Sequence, residues 1–268
     1  MLLKTILCTT TFLAINLITN NLELANIGLI ISAIIVLITY DYMNVKKYNI
    51  VDKKFSMEII IKLFKVGFNA FAFTFLTLYI INASRYIIDD TLNSTDQAIY
   101  GILIMPATVL ILVSQFIMQP FLNNIKRLLQ EENIQKLKKL VWKLCGAVLI
   151  IGMICIILAW FLGIPVLEYI YGINLINYKN DLIIIMIGSI LYGIISIISA
   201  VLTAMRKTKI QLIIFIIASI ITFIVSINLI TQYKILGASI TYLISMVILF
   251  TLYNITYINI INKKRKES

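Results

Sequence analysis

Residues 97–121 read QAIYGILIMPATVLILVSQFIMQPF, 25 residues without a charged side chain, and residues 122–140, LNNIKRLLQEENIQKLKKL, follow with five cations. An apolar run of this length crosses the roughly 30 Å hydrocarbon core of a bilayer as one helix, and a polar, basic stretch cannot continue it. The alternation recurs along the chain, with apolar runs near 2–19, 24–40, 59–83, 97–121, 141–162, 182–203, 211–230 and 237–260. Hydrophobic residues make up 61% of the sequence and charged residues 13%, with a mean hydropathy of +0.99. A soluble domain has roughly 45–50% apolar and 25% charged residues and could not hide this much apolar surface. The expected fold is therefore an all-α integral membrane protein of about eight transmembrane helices in one bundle. Lys4 followed by the run from Ile6 to Ile18 imitates a signal peptide. Without a small-residue cleavage site, and with another span following at once, it reads as a retained helix.

The net charge of +11 would raise the question of nucleic acid in a soluble protein, but here the cations sit in short connections. Lys46, Lys47, Lys53 and Lys54 follow the second run, and Lys126, Arg127, Lys136, Lys138 and Lys139 follow the fourth. Arg206, Lys207 and Lys209 follow the sixth, and Lys263, Lys264, Arg265 and Lys266 follow the eighth. The alternate connections hold only Arg85, Lys179 and Lys234. Lys4, Lys62, Lys65 and Lys143 lie at helix ends on the cation-rich side, where long stems can snorkel. Positive residues remain on the cytoplasmic side, so both termini are expected in the cytoplasm of a bacterial cell, with the chain multi-pass in its inner membrane. The opposite side carries Glu23, Asp89, Asp90, Asp96, Glu168 and Asp181, which contribute little to orientation. Nucleic acid is not an expected partner; membrane lipids are. The segment from Asn123 to Leu140 interleaves Ile125, Leu128, Leu129, Ile134, Leu137 and Leu140 with basic residues, as either an interfacial amphipathic helix or a solvated connector does.

Catalytic chemistry has few footholds. Histidine is absent, and no Asp or Glu lies deep inside an apolar run. Cys8, Cys145 and Cys155 fall inside apolar runs without metal-site or disulfide spacing. Walker-type loops, nucleophile elbows and zinc-helix motifs are missing. The expectation is a protein that is not an enzyme and uses neither metal nor cofactor.

The stretch that departs most from a lipid-facing pattern is Asn82-Ala-Ser-Arg85-Tyr86-Ile-Ile-Asp89-Asp90, read as the end of the third helix with its outer loop. An Arg at the hydrocarbon boundary with Asn and Asp on neighbouring turns either binds an anion or anchors and caps a helix. The fourth helix contains Pro106 and Pro120, which free backbone carbonyls and kink it, as transporters use and as purely structural kinks do. Gln115 and Gln119 are four apart on one face and can look into a cavity or bond a neighbouring helix. Ser196, Ser199, Thr203, Ser219, Thr222 and Ser226 read as helix-packing material.

Asn82-Ala-Ser-Arg-Tyr-Ile-Ile-Asp89, Gln97-Ala-Ile-Tyr100-Gly-Ile-Leu-Ile-Met-Pro106 and Phe116-Ile-Met-Gln-Pro120 resemble the seventh and eighth helices of Wzx-type O-antigen and capsule repeat-unit flippases. Leu162-Gly-Ile-Pro165-Val-Leu-Glu-Tyr-Ile-Tyr-Gly172, the stretch from Leu175 to Asp181 and Val201-Leu-Thr-Ala-Met-Arg-Lys207 resemble the same proteins between their ninth and eleventh helices. The order and spacing agree across roughly residues 59–260, and no single motif decides.

Such flippases belong to the multidrug/oligosaccharidyl-lipid/polysaccharide exporter superfamily, whose fold has two six-helix lobes. The resemblance implies that this chain corresponds to helices five to twelve, with four N-terminal helices missing. Residues 1–58 then complete the N-terminal lobe and supply the inter-lobe loop, and residues 59–268 form the six-helix C-terminal lobe with a cytoplasmic tail. It also implies translocation of a polyprenyl-pyrophosphate-linked oligosaccharide for cell-surface polysaccharide (O-antigen, capsule, lipopolysaccharide) by alternating access. A polysaccharide polymerase and other assembly proteins would be partners. On this reading Asn82, Arg85, Tyr86, Asp89, Tyr100, Gln115 and Gln119 line the substrate cavity, with Pro106 and Pro120 as kinks. Three other readings stay open: a cation-coupled drug or metabolite exporter of the superfamily, which would need a buried carboxylate; a multi-pass glycan enzyme using Glu168 and Asp181; and a truncated remnant.

Overall fold

The computed structural model describes residues 2–41 and 57–267, all in helices, turns and short links. The expected inter-lobe loop with Lys46, Lys47, Lys53 and Lys54 lies outside the described residues, as do the side chains of Lys4, Lys62, Lys65, Lys264, Arg265 and Lys266. The chain divides into two compact units, Met1–Lys62 and Leu63–Ser268.

In the first unit, α1 (Leu2–Thr19) and α2 (Leu22–Val36, continued by a π-turn at Leu37–Asp41) form an antiparallel hairpin. Asn20 takes a left-handed φ of 48°, and Asn21 caps α2 by accepting from the N–H groups of Glu23 and Leu24. Ala25, Gly28, Ser32 and Val36 are the buried stripe of α2, and such small residues let apolar helices approach closely.

The second unit contains α3 (Met57–Thr91, from Leu63 on), α4 (Ser94–Met118), α5 (Leu122–Gln130), α6 (Ile134–Leu158), α7 (Ile164–Tyr171), α8 (Lys179–Ala204) and α9 (Thr208–Glu267). Asn93 and Asn133 start α4 and α6 by accepting from the N–H groups of Asp96 and Lys136. Helix α8 is the centre: α9, α4 and α6 all pack against it, and 61% of its apolar window is buried. Gly193 allows this contact, because a Cβ there would stand 2.6 Å from Ser114 Oγ on α4 and 2.9 Å from Val148 on α6. Outward, α6 leaves Ile150, Ile154 and Ile157 more than half exposed, an apolar face of the kind that lipid suits.

Helix α9 is two antiparallel arms, 208–233 and 235–267, broken at Lys234 (φ 51°, ψ −125°). Thr222 Oγ1 donates to Ser245 Oγ (2.9 Å) from nearly equal distances either side of the break. Among the described residues six stretches are long and apolar enough to cross a membrane, the last being this double helix, and α1 is a shorter apolar helix. Every one of the eight apolar runs is thus helical, and the chain is an all-α multi-pass membrane protein.

Three sequence expectations need correction. Helix α3 does not end at residue 83 but runs to Thr91, because Ile87 and Ile88 continue its buried stripe and Thr91 Oγ1 bonds back to the Ile87 carbonyl. The segment 123–140 is not a solvated connector; its first half is an amphipathic helix, with Lys126 and Arg127 exposed and Ile125 and Leu128 buried. The segment is α5, a turn at Glu131–Asn133 and the start of α6, with Ile125, Leu128 and Leu137 buried in the bundle. The outer connection 163–181 is also largely helical. Pro165 has no N–H for the Phe161 carbonyl, so a π-turn at Ala159–Gly163 leads into α7, and Gly172 at φ 66° ends it.

Candidate functional site

Within the second unit the connections fall at two ends. Asp96, Asn177, Asp181 and Lys234 line one cavity, while Lys126, Gln130 and Arg206 line another. The first end carries the buried polar groups. Asp181, read from the sequence as an outer-side carboxylate, lies in the first turn of α8 and is only 5% exposed. Ser239, just past the α9 break, donates to its Oδ1 at 3.0 Å. Ser84 on α3 donates to the Ala238 carbonyl at 3.0 Å, tying α3 to the same turn of α9. Tyr100 is fully buried beside Ser84 and within electrostatic reach of Arg85 and Asp181. Ser84 Oγ, having donated to Ala238, can still accept from the Tyr100 hydroxyl, whereas Arg85 Nε is buried without a hydrogen-bond partner. An unpaired buried donor costs roughly 1–3 kcal/mol, so Arg85 Nε would gain from an acceptor. Beside it, a cavity of about 320 Å³ is lined by Asp96, Asn177, Tyr178, Asn180, Asp181 and Tyr233 to Leu236.

The structure brings Arg85 and Tyr100 together and separates others. Asn82, Tyr86 and Asp89 share one stripe of α3 with Tyr79: Tyr86 stacks on Tyr79 at 6.4 Å, Asn82 Nδ2 donates to the Leu78 carbonyl, and Asp89 is exposed. Gln115 on α4 and Gln119 just past its end are exposed, 15 and 19 residues beyond Tyr100, which at 1.5 Å per residue is about 22 Å or more away. Pro106 lies inside α4, and Pro120 lies in the 3₁₀ turn Gln119–Phe121 that joins α4 to α5. Glu168 is taken up in its own loop, where its Oε1 accepts from Leu175 N–H at 2.6 Å, and Lys179 Nζ sits 4.2 Å over the Trp160 ring.

Asp181 and Ser239 are the residues that sequence reading placed in an outer loop or passed over. The available signal was an Asp immediately before the run Leu182–Met186, all five of whose side chains are buried or partly buried. From Asp181 a seam of hydroxyls continues down α8. Ser189 meets Tyr242 at 3.2 Å, and Gln211, fully buried, accepts from Ser199 (2.6 Å) and Tyr253 (3.1 Å) while donating to Thr203 (2.9 Å). Of the hydroxyls read as packing material, Ser199, Thr203 and Thr222 bond between helices or arms, whereas Ser196 and Ser226 bond carbonyls of their own helix.

No protein-family model matches the sequence, and no curated protein is similar to it. Among solved structures, an outward-facing multidrug resistance MATE-family transporter of the MOP superfamily is similar, with a TM-score of 0.69 and 13% identity. The match covers 99% of this chain and 63% of that one, so the chain spans less than two thirds of the transporter it resembles. At this identity the likeness establishes the class of fold: a helical membrane bundle of the kind found in that superfamily.

Proposed function

We propose that this chain is part of an alternating-access transporter, and specifically of a Wzx-type flippase that moves a polyprenyl-pyrophosphate-linked oligosaccharide across the bacterial inner membrane, both termini being cytoplasmic. The observation that carries the reading is Arg85: its Nε is buried without a partner, within electrostatic reach of the Tyr100 hydroxyl, in a bundle with a transporter fold. A guanidinium so placed offers charge-assisted hydrogen bonds to a phosphate oxygen, and the tyrosine adds a neutral donor. The Asn82, Tyr86 and Asp89 stripe supplies amide, aromatic and carboxylate groups suited to sugars. Gln115 and Gln119 would serve the far end of the path, with Pro106 and Pro120 as flexing points. Polymerase and assembly proteins act as partners on this reading.

The test is translocation of a fluorescent lipid-linked oligosaccharide in proteoliposomes carrying the complete gene product. Arg85→Ala is expected to lower the rate about tenfold or more, the worth of one charged hydrogen bond, and Arg85→Lys to keep part of it. An unchanged Arg85→Ala rate removes Arg85 from the mechanism. A cation-coupled exporter is the second reading, and buried Asp181 is the observation that favours it. On that reading Asp181→Asn abolishes the dependence of transport on an ion gradient, whereas the flippase reading requires substrate-linked loss in Arg85→Ala.

A further inference from the structure

At the other end of the second unit, α8 stops in a Schellman turn: Lys207 N–H donates to the Leu202 carbonyl (2.9 Å) and Arg206 N–H to that of Thr203 (2.9 Å). Arg206 takes the left-handed position, φ 58°, that glycine ordinarily fills. It lines two adjoining grooves of about 830 and 930 Å³, which also share Thr203. Lys126 borders the first, Lys207 and Lys209 border the second, and neither lining contains a carboxylate. The ion pair found among the described residues, Arg127 with Glu131, involves none of these four cations.

The start of α9 adds to the imbalance. The first bond of this helix, Gln211 N–H to the Lys207 carbonyl, makes Lys207 its cap, and lysine has no acceptor to offer the free N–H groups of the first turn. The positive end of a helix therefore meets Arg206, Lys207 and Lys209 where an anion would be stabilising. The groove also grades into apolar surface: Leu129 and Met205 line it, and Ile213, a turn further along α9, is 57% exposed.

We infer that this groove seats the headgroup of an anionic phospholipid of the adjoining leaflet. Its phosphate would lie among Lys126, Arg206, Lys207 and the first turn of α9, and its acyl chains would run over the apolar flank. A basic pocket between helix ends at the membrane boundary favours such lipids over zwitterionic ones. The inference does not depend on what the protein transports.

Native mass spectrometry of the delipidated, detergent-solubilised chain, titrated with phosphatidylglycerol or with phosphatidylcholine of the same acyl chains, tests it. Wild type should retain phosphatidylglycerol preferentially. Arg206→Gln/Lys207→Gln/Lys209→Gln should weaken that binding roughly tenfold, and Lys138→Gln/Lys139→Gln, in a separate groove, should leave it unchanged. Lys126→Gln, on another helix, should weaken it in the same direction if the triple variant does not fold. Equal retention of the two lipids, full retention by the groove variants, equal loss in the Lys138/Lys139 control, or complete displacement of phosphatidylglycerol by equimolar farnesyl pyrophosphate would each overturn the assignment.

Discussion

Lys234 holds the backbone conformation that glycine adopts at the first corner of a type II′ turn, and three residues on, a Cβ at Gly237 would collide with the Leu229 carbonyl. The reversal of α9 therefore uses one residue that suffers the conformation and one that the space demands. Strain of this kind costs on the order of 1–3 kcal/mol, so Lys234→Gly should raise the thermal midpoint in detergent. Gly237→Ala should lower it by roughly 1–3 kcal/mol of stability, since backbone rather than a flexible side chain stands in the way. Tryptophan emission from Trp142 and Trp160 during a thermal ramp would read both. Arg85 belongs to this scale as well: Arg85→Ala removes a partly buried guanidinium whose Nε lacks a partner, so transport should fall while the unfolding midpoint changes little.

Among the elements, α8 and the two arms of α9 are held by hydrogen bonds as much as by apolar contact. Gln211 meets Ser199, Thr203 and Tyr253 from one buried amide, and Thr222 meets Ser245 across the arms. In hydrocarbon such bonds average about 0.6 kcal/mol, but truncating a shared centre leaves several partners unpaired at once. Gln211→Leu should therefore destabilise by roughly 1–3 kcal/mol, clearly more than Thr222→Val, when both are compared by denaturation in mixed micelles. A Gln211→Leu midpoint equal to wild type would show the clamp to be dispensable.

Across the second unit, connections alternate between an end bearing Lys126, Lys138, Lys139, Arg206 and Lys207 and an end bearing Asp96, Asn177 and Asp181. The proposed topology, by the positive-inside bias, has the first end in the cytoplasm. In a cysteine-free background, Lys138→Cys should resist a membrane-impermeant maleimide added to intact cells, and Asp89→Cys should react. The reverse pattern would invert the topology and place the basic groove in the outer leaflet.

Sequence alone determined that this is a helical membrane protein and where each apolar run lies, because a bilayer accepts only backbone bonded within itself and the apolar runs declare their length. What lies across helices was not legible. Periodicity stopped α3 at residue 83 because Arg85 and Asp89 look like loop residues, yet Ser84, Ile87 and Ile88 are held in place by other helices. Asp181 read as an outer-loop carboxylate, and only the α9 reversal, by bringing Ser239 to within 3.0 Å, makes it a buried one. Burial and hydrogen-bond partnership are properties of pairs of residues far apart in the chain, here 58 positions for Asp181 and Ser239 and 154 for Ser84 and Ala238, so only the tertiary structure decided them.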